Sequence, residues 1–302
     1  LYAQDPWKIT VNKVDSTKYY GVTVANGILG LVSSLQPLQT SHTVLAGCYD
    51  KFGRGDVSNF LSGFNFLNTS LLIDNQKIRY GNISHYVQEL DMKNAVFNAH
   101  FDYQGDANVS YSFASLRQLP YCALLTVTIT PLKNIKVKVI NTQALPDGFH
   151  DSKVFHEELH VGHAMTNLMT TEALSPTGKL KMGACSTFLF PSEPGQSAAV
   201  QQEKGEGQNS YFVKQLKKGQ TYRFAVVGST LSSAQCSDPI NEVKRLVIYC
   251  QMEGVRKLLN THYSLWRNLW ESDIQIEGDP QAQQDVHSMM YHLYSFVREG
   301  SN

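Results

Sequence analysis

The period of the hydrophobic pattern changes once along this chain, and that change limits the folds open to it. As far as about residue 237, apolar residues recur at every second position, in short runs bounded by turn residues. From Asp238 onward they recur at spacings of three and four. Alternation with period two belongs to antiparallel strands that bury one face, whereas the later spacing belongs to amphipathic helices. The expected order is therefore a β domain over residues 5–237, a helical linker over 238–278 and a further helix from 279.

Within the β region YCALLTVTITPL and NIKVKVINTQAL show the alternation most plainly. Turn signals separate such runs: Asp74-Asn75, Lys218-Gly219, and Asn26-Gly27, where a type I′ turn would place both central residues at positive φ. About fifteen or more strands joined by short turns predict a mainly β fold of two large stacked antiparallel sheets. No internal sequence repeat is visible.

Two Asp-Pro pairs open helices, because an Asp side chain caps free N–H groups and Pro at the first helical position has none to lose. The first helix runs over Asp238 to Gln251. A second carries Val255, Leu258, Leu259, His262, Leu265, Trp266, Leu269 and Trp270 on one stripe. A third starts at Asp279-Pro280, with Gly300 as its stop signal, and aligns Ala282, Val286, Met289, Met290, Leu293, Phe296 and Val297. That stripe is expected to pack back on the helix at Val255 to Trp270, or against a second copy of the chain.

Charge narrows the partners. Lys+Arg and Asp+Glu are equal at 26 each in 302 residues, so the chain offers no basic field for a nucleic-acid backbone. No run approaches the roughly 18 apolar residues of a membrane span. Residues 1–4, Leu-Tyr-Ala-Gln, resemble the end of a cleaved secretory signal, which places the protein in the periplasm or outside the cell. Five cysteines lie far apart without a CxxC pair. Their apolar surroundings mark them as small buried residues, and the odd count leaves at least one thiol free.

One cluster invites a metal. GFHDSKVFHEELHVGHAM holds His150, His156, His160 and His163 with Glu157 and Glu158, and HEELH matches the HExxH pattern. That pattern binds zinc only on a helix, and here Gly162 and β-forming residues follow. A His-rich surface loop, no metal and no cofactor are the expectation. GxSxG, GxGxxG and a Gly-rich phosphate loop are all absent from the sequence.

Three stretches in this order, YYGVTVANGILGLVSS, AGCYDKFG and HYSLWRNLWESDIQIEGDPQAQQDVHSMMYHLYSF, resemble glycoside hydrolase family 65; HYVQELDMKNAVF, ending at Phe97, fits the same pattern. The resemblance implies a galactose-mutarotase-like supersandwich, a helical linker and, at residues 279–302, the first helix of an (α/α)6 barrel. It implies that the catalytic carboxylates lie in the barrel beyond residue 302, so no catalytic residue is expected here. The implied activity of the whole enzyme is inverting cleavage of an α-glucoside, and the implied partner is an oligosaccharide. In CYDKFGRGD, Tyr49, Asp50 and Phe52 are the candidate substrate-binding residues. A carbohydrate-binding module, the N-terminal domain of a disaccharide phosphorylase and a homodimerisation domain are the alternatives.

Overall fold

The computed structural model describes residues 5–297 apart from 54, 56, 162–163, 192–200 and 206. The secretory-signal expectation at residues 1–4, His163 and Gly300 lie outside the described residues.

Among the described residues there are eighteen strands, paired antiparallel in every case, followed by two helices. One sheet has nine strands. Numbered in chain order, it runs β1 (Lys8–Val11), β8 (Ser84–Asp91), β9 (Val96–Tyr103), β10 (Ala107–Ser115), β11 (Cys122–Pro131), β18 (Tyr222–Ser232), β15 (Lys181–Leu189), β14 (Ala164–Leu174), β13 (His150–Val161). The facing layer is divided. A five-stranded sheet holds β16 (Gln201–Gly205), β17 (Gly207–Leu216), β12 (Ile135–Gln143), β6 (Thr69–Ile73) and β7 (Gln76–Lys77). A four-stranded sheet holds β2 (Thr23–Ala25), β3 (Leu29–Ser33), β4 (Thr40–Lys51) and β5 (Ser58–Ser62). Leu31, Phe66, Val137, Phe113 and Phe224, drawn from both layers, share one core.

The helices explain where alternation fails. Helix α1 (Pro239–Leu269) lies on the outer face of the nine-stranded sheet, where Val243, Val247, Cys250 and Leu258 meet Cys122, Leu124, Ala225 and Val227. β15 and β18 are thus covered on both faces and buried almost throughout, whereas β12, covered on one, alternates. Gly254, at φ 71°, breaks α1 in two, so the two expected linker helices form one span with a kink.

Two local expectations need correction. Asn75 and Asp74 both have positive φ and close β6–β7 as the type I′ rule requires, but Asn26 does not. Its side chain accepts from the Ile28 and Leu29 N–H groups and donates to the Leu116 and Pro120 carbonyls. This locks a three-residue connection instead. HEELH lies on β13, an edge strand, not on a loop.

Candidate functional site at one end of the sandwich

Connections from both layers gather at one end of the sheets and are tied into a single rim. The Ala46 N–H donates to Ile28 O (2.8 Å), Gln235 Nε2 to Ala46 O (2.9 Å), Thr230 N–H to Tyr121 O (3.1 Å) and Ser233 N–H to Lys181 O (2.8 Å). Two features stand on this rim: the outer part of β4 with β5, and the second helix, α2 (Pro280–Phe296).

The candidate residues of β4 divide by strand alternation. Asp50 points inward and is only 2% exposed. Ser175 Oγ (2.5 Å), Thr177 Oγ1 (2.6 Å), the Thr177 N–H (3.0 Å) and the Lys51 N–H (2.8 Å) all donate to its carboxylate. Burial acts to raise the carboxyl pKa, but these hydrogen bonds outweigh it and hold the group well below the usual carboxylate range. Asp50 is therefore a bolt between β4 and the β14–β15 turn, its two carboxylate oxygens engaged by four donors of the protein itself. Phe52 is half docked: its ring sits where a side chain at Gly148 would be, 2.3 Å from an added Cβ, and Gly148 has φ 79°. Tyr49 points outward and is half exposed. Its register partner across the β4–β5 hairpin, Phe60, meets it edge to face at 5.5 Å. Phe60 escaped the sequence reading, although folding the chain symmetrically about the Gly-rich GRGD turn pairs it with Tyr49.

Helix α2 is set against the rim by its polar side. Asp279 caps it through the Gln281 and Ala282 N–H groups. Gln284 Nε2 donates to Lys8 O (2.6 Å), His287 Nδ1 to Pro6 O (3.0 Å) and the Tyr291 hydroxyl to Thr23 O (3.0 Å). His287 stacks on Trp7 at 3.6 Å with Asp273 Oδ1 3.1 Å from its Nε2, and Tyr291 lies tilted by 30° against Trp266 at 5.6 Å between ring centres. At the C-terminal end the buried Arg117 donates from Nη1 to Tyr294 O, Val297 O and Asn26 O, a cation placed on the negative end of the helix dipole. The helix does pack on the Trp266–Trp270 end of α1, but through Tyr291, His287 and Tyr294 and not through the stripe expected to do so. The face it buries was not expected: Leu293 and Phe296 of the apolar stripe are 66% and 79% exposed.

The His-rich cluster lies elsewhere. His156 and Glu157 project from opposite faces of β13, and Glu157 is engaged by Lys244 Nζ at 2.7 Å. His156 and His160 share a face, but four strand residues separate them by about 13 Å, too far to meet one metal ion with bonds of about 2 Å. Among the described residues no group of three or more His, Cys, Asp or Glu could hold a metal. No helix among them is long and apolar enough to cross a membrane.

Residues 21–269 match the family model described as glycosyl hydrolase family 65, N-terminal domain. A kojibiose hydrolase of Mucilaginibacter mallensis is 44% identical over 301 residues, covering 99% of this chain and 44% of its own length. One from Flavobacterium johnsoniae is 42% identical over 304 residues, 100% of this chain and 45% of that protein. The chain thus spans less than half the length of these relatives. Among solved structures, a human-microbiome protein provisionally described as a kojibiose phosphorylase superposes with a TM-score of 0.77 at 10% identity. That match covers 96% of this chain and 41% of the other. A family 92 glycosyl hydrolase follows at TM-score 0.51 and 8% identity, over 91% and 38% of the two chains. At such identities these two speak to the fold alone.

Proposed function

This chain belongs to glycosyl hydrolase family 65, and from that premise we propose that it is the non-catalytic N-terminal region of a secreted enzyme hydrolysing α-glucosides, kojibiose first among them. The observation that carries the proposal is the helix α2. Its back is fixed by named hydrogen bonds and aromatic stacking, while Leu293 and Phe296 face solvent. A helix held this firmly with its apolar side outward is built to receive more helices. We assign that side to the helical catalytic part of the whole enzyme.

In that enzyme one carboxylic acid would protonate the leaving oxygen while a second carboxylate activates water on the opposite face of the sugar, giving inversion. Hydrolysis is favoured over phosphorolysis because both curated relatives are named hydrolases. Secretion, proposed alongside, would go with hydrolysis, since a sugar phosphate conserves bond energy only inside the cell. The β domain then acts as scaffold and rim.

Two incubations test this. The 302-residue chain with kojibiose, nigerose, maltose or trehalose should release neither glucose nor glucose 1-phosphate, with or without phosphate. The whole enzyme should release glucose from kojibiose without phosphate, from the periplasmic or culture fraction. Turnover by the chain that disappears on mutating His156 or Glu157, or a strict phosphate requirement in the whole enzyme, would overturn the assignment.

A further inference from the structure

We infer that Tyr49 and Phe60 form a stacking platform for a pyranose ring of a neutral α-glucoside. Most large aromatic side chains of this protein lie in the core, Phe64, Phe66, Phe97, Phe113, Phe212 and Phe224 among them; Tyr49 and Phe60 stay 50% and 40% exposed. They are not loose. Each sits on a strand, they oppose one another in register, and their planes cross at 82°. Edge-to-face contact leaves one ring face free and sets the second ring beside it, so the pair makes an apolar corner. The C–H face of a pyranose is apolar and its edge is hydroxylated, so it fits such a corner with its hydroxyls in water.

The platform is also pre-organised. Asp50, adjacent to Tyr49, is bolted to Ser175 and Thr177, and Cys48 Sγ lies 3.2 Å from Ser232 Oγ. On the opposing strand Asn59 Nδ2 donates to the Phe52 and Val57 carbonyls and closes the hairpin. A ligand stacking here would order no backbone, which removes much of the usual entropic cost of binding at a surface. The position suits substrate as well: the arm stands on the rim that Arg117 and Asn26 share with the C-terminal end of α2. For its ligand class the inference rests on the hydrolase assignment, and for its location on geometry.

Saturation-transfer NMR on the 302-residue chain with kojibiose should show transfer to pyranose C–H protons. Tyr49→Ala and Phe60→Ala should each abolish most of it, while Tyr20→Ala, at an almost fully exposed lone aromatic, should leave it unchanged. Both platform rings are on the surface, so melting curves matching the unsubstituted chain will establish that the variants fold. In the whole enzyme Tyr49→Ala should raise KM for kojibiose about two- to tenfold with kcat little changed. Transfer that is absent, or that survives both substitutions, would overturn the platform, and kojibiose hydrolysis with normal KM in Tyr49→Ala would do the same while leaving the hydrolase assignment intact. Platform-dependent transfer in the chain, with no α-glucoside cleaved by the whole enzyme, would uphold the platform and sink the assignment.

Discussion

Helix α1 turns Val243, Val247 and Cys250 onto the nine-stranded sheet, whereas α2 turns Gln283, Gln284, His287, Tyr291 and Ser295 inward and leaves Leu293 and Phe296 in solvent. Both helices open with Asp-Pro and both carry an apolar stripe. The difference lies in what fixes them. An apolar stripe can be covered by any surface of matching shape, because the hydrophobic effect has no direction. A buried amide, imidazole or hydroxyl costs free energy unless each meets its partner. On α2, Gln284, His287, Tyr291 and Ser295 find Lys8 O, Pro6 O, Thr23 O and Tyr291 O. The polar face therefore sets the orientation of α2, and its apolar face remains available.

The comparison is broken most directly at α1. Leu258, in the second half of that helix, is buried in the same cluster as Leu124, Ala225 and Val227, and its carbonyl also accepts from Gln118 Nε2 (2.7 Å). Leu258→Ala should destabilise the chain by about 2–5 kcal/mol, read as a lower urea midpoint at unchanged slope. A loss below about 1 kcal/mol would mean that α1 is not the cover of the nine-stranded sheet that its stripe implies.

A second test concerns the seam between the helices. His262 is fully buried, and its Nδ1 accepts from the N–H of Arg117, the residue that holds the end of α2. Burial pushes its pKa down to about 4 from an ordinary 6.5. The unfolded chain therefore takes up the proton first as pH falls. Stability from the neutral imidazole is complete above about pH 6.5 and drains away toward pH 4, by on the order of 3 kcal/mol. Asp50, whose pKa is depressed, acts in a separate window: its contribution is lost only below the ordinary carboxylate value of 3.8. Urea midpoints at pH 7 and 4.5 should differ strongly in the unsubstituted chain and much less in His262→Gln. An unchanged difference in the variant would place the acid sensitivity elsewhere.

The strands, their antiparallel pairing and the switch to helices at Asp238 were legible because burial on one face leaves a period in the sequence. Less legible was whatever depends on a distant partner. The acid in CYDKFG shows no sign that Ser175 and Thr177 will enclose it, and nothing local assigns Arg117 to the carbonyls of Tyr294 and Val297. HEELH has the letters of a metal site, but β13 places adjacent residues on opposite faces and alternate ones far apart. The periodicity of α2 located its apolar residues correctly but pointed to the wrong face as the covered one, since Gln283, His287 and Tyr291 recur at the same spacing and are the residues that pack.

The smallest effect is the sharpest discriminator. Leu293→Ala removes the same atoms from the same kind of element as Leu258→Ala, but from a side chain that is 66% exposed. Little apolar area returns to water on truncation, no cavity forms, and Ala is a slightly better helix former than Leu, so the change in stability of the 302-residue chain should stay within about 0.5 kcal/mol of zero. In the whole enzyme, where we assign this face to the catalytic helices, the same substitution becomes a core truncation and should cost about 2–5 kcal/mol. Light scattering at matched concentrations separates a third case, in which two copies of the chain cover the face for each other and Leu293→Ala shifts the dimer toward monomer. Equal and near-zero effects in both contexts, with no change in mass, would show that nothing packs on the exposed face of α2 and would remove the observation on which the assignment of this chain to a larger hydrolase rests.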